Sequence, residues 1–257
     1  SIVFLISLFL WSNERYNFWS IIVVSLPFII IILIMGYVRQ GIAFSFFLIA
    51  LHYYIENRNF KSFFYLFIAL LFHKTIAILF IIFFLSQRKY FFSKIIYIFL
   101  ILFILAYFLQ AQFYRLYYFY LGEGVHMESY GTIYRLIFMS ITSLLFLCVY
   151  QKFELNINEK RIYFFLSIFS LFFCLLYFIN VPTTFIDRIM IYCFPIQLVF
   201  FAKIHSIFKE KNFYFVKSLI VLLYGTYMYV WFNYSDYSEY WYPYQSILSQ
   251  DIFLYIR

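Results

Sequence analysis

Apolar runs follow one another along almost the whole sequence, at 2–11, 20–36, 37–55, 62–85, 94–110, 134–150, 162–179, 189–205 and 218–233. Most approach the roughly 20 residues that a helix needs to cross the hydrocarbon core of a bilayer. No water in that core can satisfy backbone N–H and C=O groups, and a helix satisfies them within one segment. The pattern therefore predicts an all-α fold, a polytopic transmembrane helix bundle of about 8–10 membrane segments. The chain is 66% hydrophobic and 12% charged, with a mean hydropathy of +0.89. A water-soluble globule could not cover itself with so few polar groups. Residues 1–257 read as a single transmembrane domain, with 111–133 as an external loop and 234–257 as an external aromatic tail. The opening run Ile2–Trp11 has neither a basic flank nor a small-residue cleavage site, so it is not a signal peptide. It reads as the tail of a helix whose beginning lies upstream, and the sequence is expected to be N-terminally truncated.

Composition alone assigns no function. The 40 Phe and 28 Tyr accompany many Ile, Asn and Lys and few Ala, Gly and Pro, a profile that AT-rich coding produces. Tyr and Trp at membrane interfaces account for part of the rest. The net charge of +8 comes from basic residues scattered over short loops, not gathered on one face, which argues against nucleic acid. Cys148, Cys174 and Cys193 sit inside apolar runs without ligand spacing, so neither a disulfide nor a metal site is implied.

Basic loops at 86–93, 151–161 and 206–217 belong in the cytoplasm by the positive-inside rule. The run 62–85 poses a choice. As one continuous span it strands Lys74 in mid-membrane, at about 2.5–3.5 kcal/mol on insertion scales. Broken at His73-Lys74 into two short helices, it puts Arg15, Arg58 and Lys61 inside and Arg39 outside. A break also lets the pair line a watery cavity, where irregular backbone is tolerated at depth. The broken form is the expectation. It leaves Arg39, Arg115, Arg135 and Arg188 on the side where positive charge is disfavoured, so each needs another reason to be there.

Those residues sit in recognisable surroundings. Arg39-Gln40 opens a segment in Gly36-Tyr37-Val38-Arg39-Gln40-Gly41, either as a snorkelling flank or as an anion binder. His73 lies within an apolar run, where an ionisable side chain is by default a functional-site hypothesis. Asp187-Arg188 reads as opening a late segment. Asp suits the dipole of a helix start and Arg does not, so Arg188 should have a partner of its own. The loop 111–133 carries Arg115, Glu123, His126 and Glu128, and Arg135 follows it. The tail holds Trp241-Tyr242-Pro243-Tyr244, suited to a membrane surface. The chain lacks a phosphate-binding lysine loop, a dinucleotide glycine pattern, paired metal-binding histidines and a nucleophile elbow. External arginines with one buried histidine and a few carboxylates suit a diphosphate leaving group and a hydroxyl nucleophile. Arginine forks stabilise the leaving charge, and His, Asp or Glu takes the proton.

Arg39-Gln40 followed by Ala43, then Phe72-His73, then Asp187-Arg188, with the late Trp241-Tyr242-Pro243-Tyr244, resembles the Wzy-type O-antigen and capsule polymerases, in particular their EpsG-like exopolysaccharide branch. The resemblance runs through roughly residues 14–248. It implies a multi-pass protein of the bacterial inner membrane, working on its outer face. There undecaprenyl-diphosphate-linked repeat units are joined into O-antigen, capsule or exopolysaccharide, with neither a cofactor nor a metal. The partners it implies are the lipid-linked glycan, membrane lipids, a chain-length regulator and a flippase. It assigns Arg39, Gln40 and Arg188 to the diphosphate, with Arg135 and Arg115 as weaker candidates. His73 becomes base or hydrogen-bond donor, and Asp187 an alternative base or a positioner of Arg188. The rival classes are a flippase for the same lipid, a membrane O-acyltransferase and a structural subunit. A flippase would carry more spans and internal symmetry, an acyltransferase would change a sugar ester without changing chain length, and a structural subunit would leave four outward arginines unexplained.

Overall fold

The computed structural model describes residues 2–12, 15–87, 131–179, 181–207, 213–235 and 238. Arg115, Glu123, His126 and Glu128 of the loop, the run 94–110 and Trp241-Tyr242-Pro243-Tyr244 lie outside the described residues. All regular structure among the described residues is helical. In chain order it comprises α1 (Ile2–Ser12), α2 (Phe18–Ser25) continuing into a π-helical stretch (Leu26–Ile34), α3 (Val38–Ile55), α4 (Asn59–Phe72) and α5 (Ala77–Ser86). Then follow α6 (Thr132–Val149), α7 (Ile157–Tyr177), α8 (Thr183–Met190), α9 (Pro195–Lys203) and α10 (Phe213–Tyr234). Four helices, Val38–Ile55, Thr132–Val149, Ile157–Tyr177 and Tyr214–Tyr234, are long and apolar enough to cross a bilayer. The pair Thr183–Cys193 and Pro195–Lys203, bent by 42°, makes a fifth. The protein is a polytopic membrane helix bundle.

Local chemistry sets several boundaries. Asn17 accepts from the Ser20 backbone N–H and caps α2. Pro27 then removes a backbone donor and crowds the preceding turn, and the helix widens into i→i−5 turns. α7 starts on a reciprocal box in which Asn156 accepts from the Glu159 N–H and Glu159 accepts from the Asn156 N–H. Pro182 precedes α8, and Pro195 stands in the first turn of α9, where a missing N–H is harmless.

α3 is the central helix, 67% buried, whereas α10 is only 17% buried. On α10 the side chains of Phe215, Leu219, Leu222 and Val230 are exposed, as suits a lipid-facing helix. α4 and α5 make a tight hairpin. One continuous helix would hold Phe63 and Phe84 about 30 Å apart, but their rings lie 4.9 Å apart. The turn falls at His73, whose backbone is extended at φ −149° and ψ 119°. A short 3-10 turn, Lys74–Ile76, leads into α5. The expected break at His73-Lys74 is therefore present, and it folds the two short helices back on each other. Phe46 stacks on Tyr65 and Phe72, and Ser62 Oγ donates to the Ala50 carbonyl at 2.9 Å, locking α4 along α3. The hairpin tip consequently lies towards the Arg39-Gln40 end of α3.

One expectation needs correction. Asp187-Arg188 does not open its segment. The helix begins at Thr183, and Arg188 occupies its last turn, where a cation suits the dipole. The Pro182-Thr183-Thr184 start displaces the boundary by more than one turn.

Candidate active site

Three elements far apart in sequence converge beside the hairpin tip. α4 ends with the His73 N–H donating to the Ala69 carbonyl at 3.1 Å, after which the extended backbone swings the ring out of the helix. The 3-10 turn returns Thr75 to the ring, with Thr75 Oγ1 2.6 Å from His73 Nδ1. From the 3-10 turn Ile191–Cys193 after α8, the Tyr192 hydroxyl stands 3.2 Å from the same nitrogen and accepts from Thr75 Oγ1 at 3.3 Å. From the first turn of α3, buried Gln40 donates through Nε2 to the Arg188 carbonyl at 2.7 Å, and its amide neighbours the Tyr192 hydroxyl. Gly41 permits a close approach of α3 to the end of the π-helical stretch: a Cβ there would sit 3.0–3.3 Å from Ile34 and the Leu33 carbonyl.

The basic groups sort by exposure. Arg39 and Arg188 are exposed, Lys74 is exposed, and His73 is half-buried. Arg188 is close enough for its charge to act on the His73 ring. Arg135 is held differently. Its Nε and Nη2 donate to the two carboxylate oxygens of Asp187 at 2.6 and 2.8 Å, a bidentate pair between α6 and α8. Tyr227 of α10 stands beside the same guanidinium, which also lies 5.5 Å from the centre of the Phe28 ring. Below the pair is a cavity of about 30 Å³, bordered by Phe28, Phe138, Met190, Phe194 and Gln197. That is room for one or two waters.

The structure thus brings Gln40, His73 and Arg188 into one network, with Arg39 next in sequence to Gln40 and Asp187 next to Arg188. Arg135 joins through Asp187. Arg115 lies outside the described residues. Thr75, Tyr192, Tyr227 and Phe28 were not singled out from the sequence. Tyr192 lies four residues after Arg188, one helical turn on, and that spacing was the available signal. It was hard to hear among 28 tyrosines.

This arrangement offers guanidinium groups at a bundle surface beside an imidazole held by neighbouring hydroxyls. It can bind a polyanion and move a proton next to it. Comparison with curated proteins and with solved structures gave no match. The family model described as EpsG family matches residues 1–246. Nearly the whole chain is covered, so this polysaccharide-polymerase-like, multi-pass membrane protein belongs to the EpsG family.

Proposed function

We propose that the chain polymerises undecaprenyl-diphosphate-linked oligosaccharide repeats, with the His73 end of the bundle open to the outer face of the bacterial inner membrane. One observation carries the reading: Gln40, His73 and Arg188 come from three distant segments to one network at one end, with exposed guanidinium groups beside an imidazole. A diphosphate-linked sugar asks for that combination.

In the reaction a hydroxyl oxygen of one repeat attacks the anomeric carbon of another. The new C–O bond forms as the bond from that carbon to the diphosphate oxygen breaks, and the electron pair leaves with undecaprenyl diphosphate. Arg39 and Arg188 bind the diphosphate and stabilise the charge that develops on it, an effect of about 10²–10³ in rate per well-aimed donor. His73 takes the hydroxyl proton, which then passes to solvent. Gln40 holds the Arg188 backbone in place. Asp187, with both oxygens accepting from Arg135, serves as the anchor of that guanidinium, which fits it better than a role as proton acceptor. Arg115 remains a candidate for the diphosphate from the loop.

Reconstitution tests this. Purified chain in liposomes, supplied only with lipid-linked repeats, should yield oligomers of the repeat and one released undecaprenyl diphosphate per linkage. Recovery of intact monomeric substrate, or its transfer across the bilayer without chain growth, would contradict the proposal.

A further inference from the structure

The contacts around His73 specify more than its position. Thr75 has one hydroxyl proton, and Thr75 Oγ1 is placed to donate it to the Tyr192 oxygen at 3.3 Å. The 2.6 Å contact between Thr75 Oγ1 and His73 Nδ1 then needs a proton from the ring, because two lone pairs do not approach so closely. The Tyr192 hydroxyl lies 3.2 Å from the same nitrogen. Gln40, whose nitrogen donates to the Arg188 carbonyl, stands beside the Tyr192 hydroxyl. With Thr75 donating to Tyr192, the donors run from His73 Nδ1–H to Thr75 and from Thr75 to Tyr192.

We infer that Thr75 and Tyr192 are positioning residues that hold His73 in its Nδ1–H tautomer, so that Nε2 keeps its lone pair as the proton acceptor of the site. In water a neutral imidazole favours the other tautomer, and a ring nitrogen's state is set by the bond its partner nitrogen makes. Here that bond is made to a residue two positions along the chain, itself oriented by a tyrosine more than a hundred positions away. The backbone break at His73 is what lets Thr75 curl back onto the ring, which no continuous helix would allow. Only the use of the Nε2 lone pair rests on the polymerase reading. The tautomer itself does not.

The experiment is nitrogen NMR on the full chain labelled with ¹⁵N-histidine in lipid nanodiscs at mildly alkaline pH. His73→Gln identifies the His73 signals among the four histidines. The wild-type ring should show a protonated Nδ1 and an unprotonated Nε2. In Tyr192→Phe the Thr75 hydroxyl loses its acceptor and turns to donate to Nδ1, so the populations should invert. Thr75→Val should also release the ring to the Nε2–H form, and Thr75→Ser should keep the wild-type spectrum. Chain formation should fall roughly ten- to a hundredfold in Tyr192→Phe and Thr75→Val and recover in Thr75→Ser. A wild-type ring already in the Nε2–H form overturns the inference, and so does a tautomer unmoved by both Tyr192→Phe and Thr75→Val. A Nδ1–H ring in a chain that polymerises normally as His73→Gln would leave the tautomer standing and count against the polymerase role of His73.

Discussion

The two ends of the bundle use charge in opposite ways. At the end where α3 meets α4, Glu56 gathers two arginines, Arg15 at 3.1 Å and Arg58 at 3.6 Å, with the His52 ring 3.4 Å away. Asn158 reaches across from α7 to bond the Ile55 carbonyl and the Asn57 side chain, and Asn57 turns the chain with φ 61°. Just inside, Tyr16 donates to Glu159 while Trp11 donates to the Tyr163 hydroxyl. Charge there is spent on holding helices together. At the His73 end, Arg39 and Arg188 present their guanidinium groups at the surface, and no ion pair joins Arg39 to another described residue. Both ends are rich in cations, so net charge does not separate a clamp from a working site. What separates them is whether the acids are gathered in with the bases. Among the described residues Asp187 at the His73 end is paired with Arg135, while Arg39 and Arg188 are exposed.

If the contrast is real, removing charge at the two ends should have unequal consequences. The largest effect is expected at Arg188: Arg188→Ala should lower chain formation in liposomes by about 10²–10³-fold, with unchanged thermal stability. Asp187→Asn should act on stability instead. It leaves the part-buried Arg135 without its counter-ion, at a cost of roughly 3 kcal/mol. A thermal melt in detergent would show it, and the double variant Arg135→Met/Asp187→Leu should recover most of the loss without recovering activity. Next comes Gly41→Ala. Its Cβ would press on the Ile34 and Leu33 backbone, costing about 1–3 kcal/mol and tilting Gln40 away from the Arg188 carbonyl. The smallest effect belongs to the clamp: Glu56→Gln should cost up to about 1 kcal/mol, since its pairs are part-exposed, and leave chain length unchanged. A Glu56→Gln chain that is stable but inactive would erase the distinction.

Some of this was legible in the sequence, and the reasons differ from residue to residue. The break at His73 could be read because a lysine in mid-membrane is expensive and a break relieves it. The hairpin that follows could not, since it depends on Phe63 meeting Phe84, a contact with no local signal. Arg135 and Asp187 were each visible as charges in awkward places, but their pairing joins positions 52 apart in sequence and only folding reveals it. The start of α8 was misplaced although Pro182-Thr183-Thr184 was in view, because the apolar run after Arg188 outweighed the start signal before it. The π-helical widening after Pro27 had no signature beyond the proline itself. Tyr192 was masked by composition: in a chain this rich in tyrosine, one hydroxyl in an apolar run draws no notice.

The central claim is that the α4–α5 hairpin dips into the membrane and returns, with its tip and the site on the outer side and the Glu56 clamp on the inner side. Accessibility of single cysteines tests it most directly. In a chain with its three native cysteines replaced, Lys74→Cys and Arg58→Cys would be exposed in turn to a membrane-impermeant thiol reagent in intact spheroplasts. The account predicts that Lys74→Cys reacts from outside and that Arg58→Cys reacts only after the membrane is opened. Labelling of Arg58→Cys from outside, with Lys74→Cys protected, would contradict it.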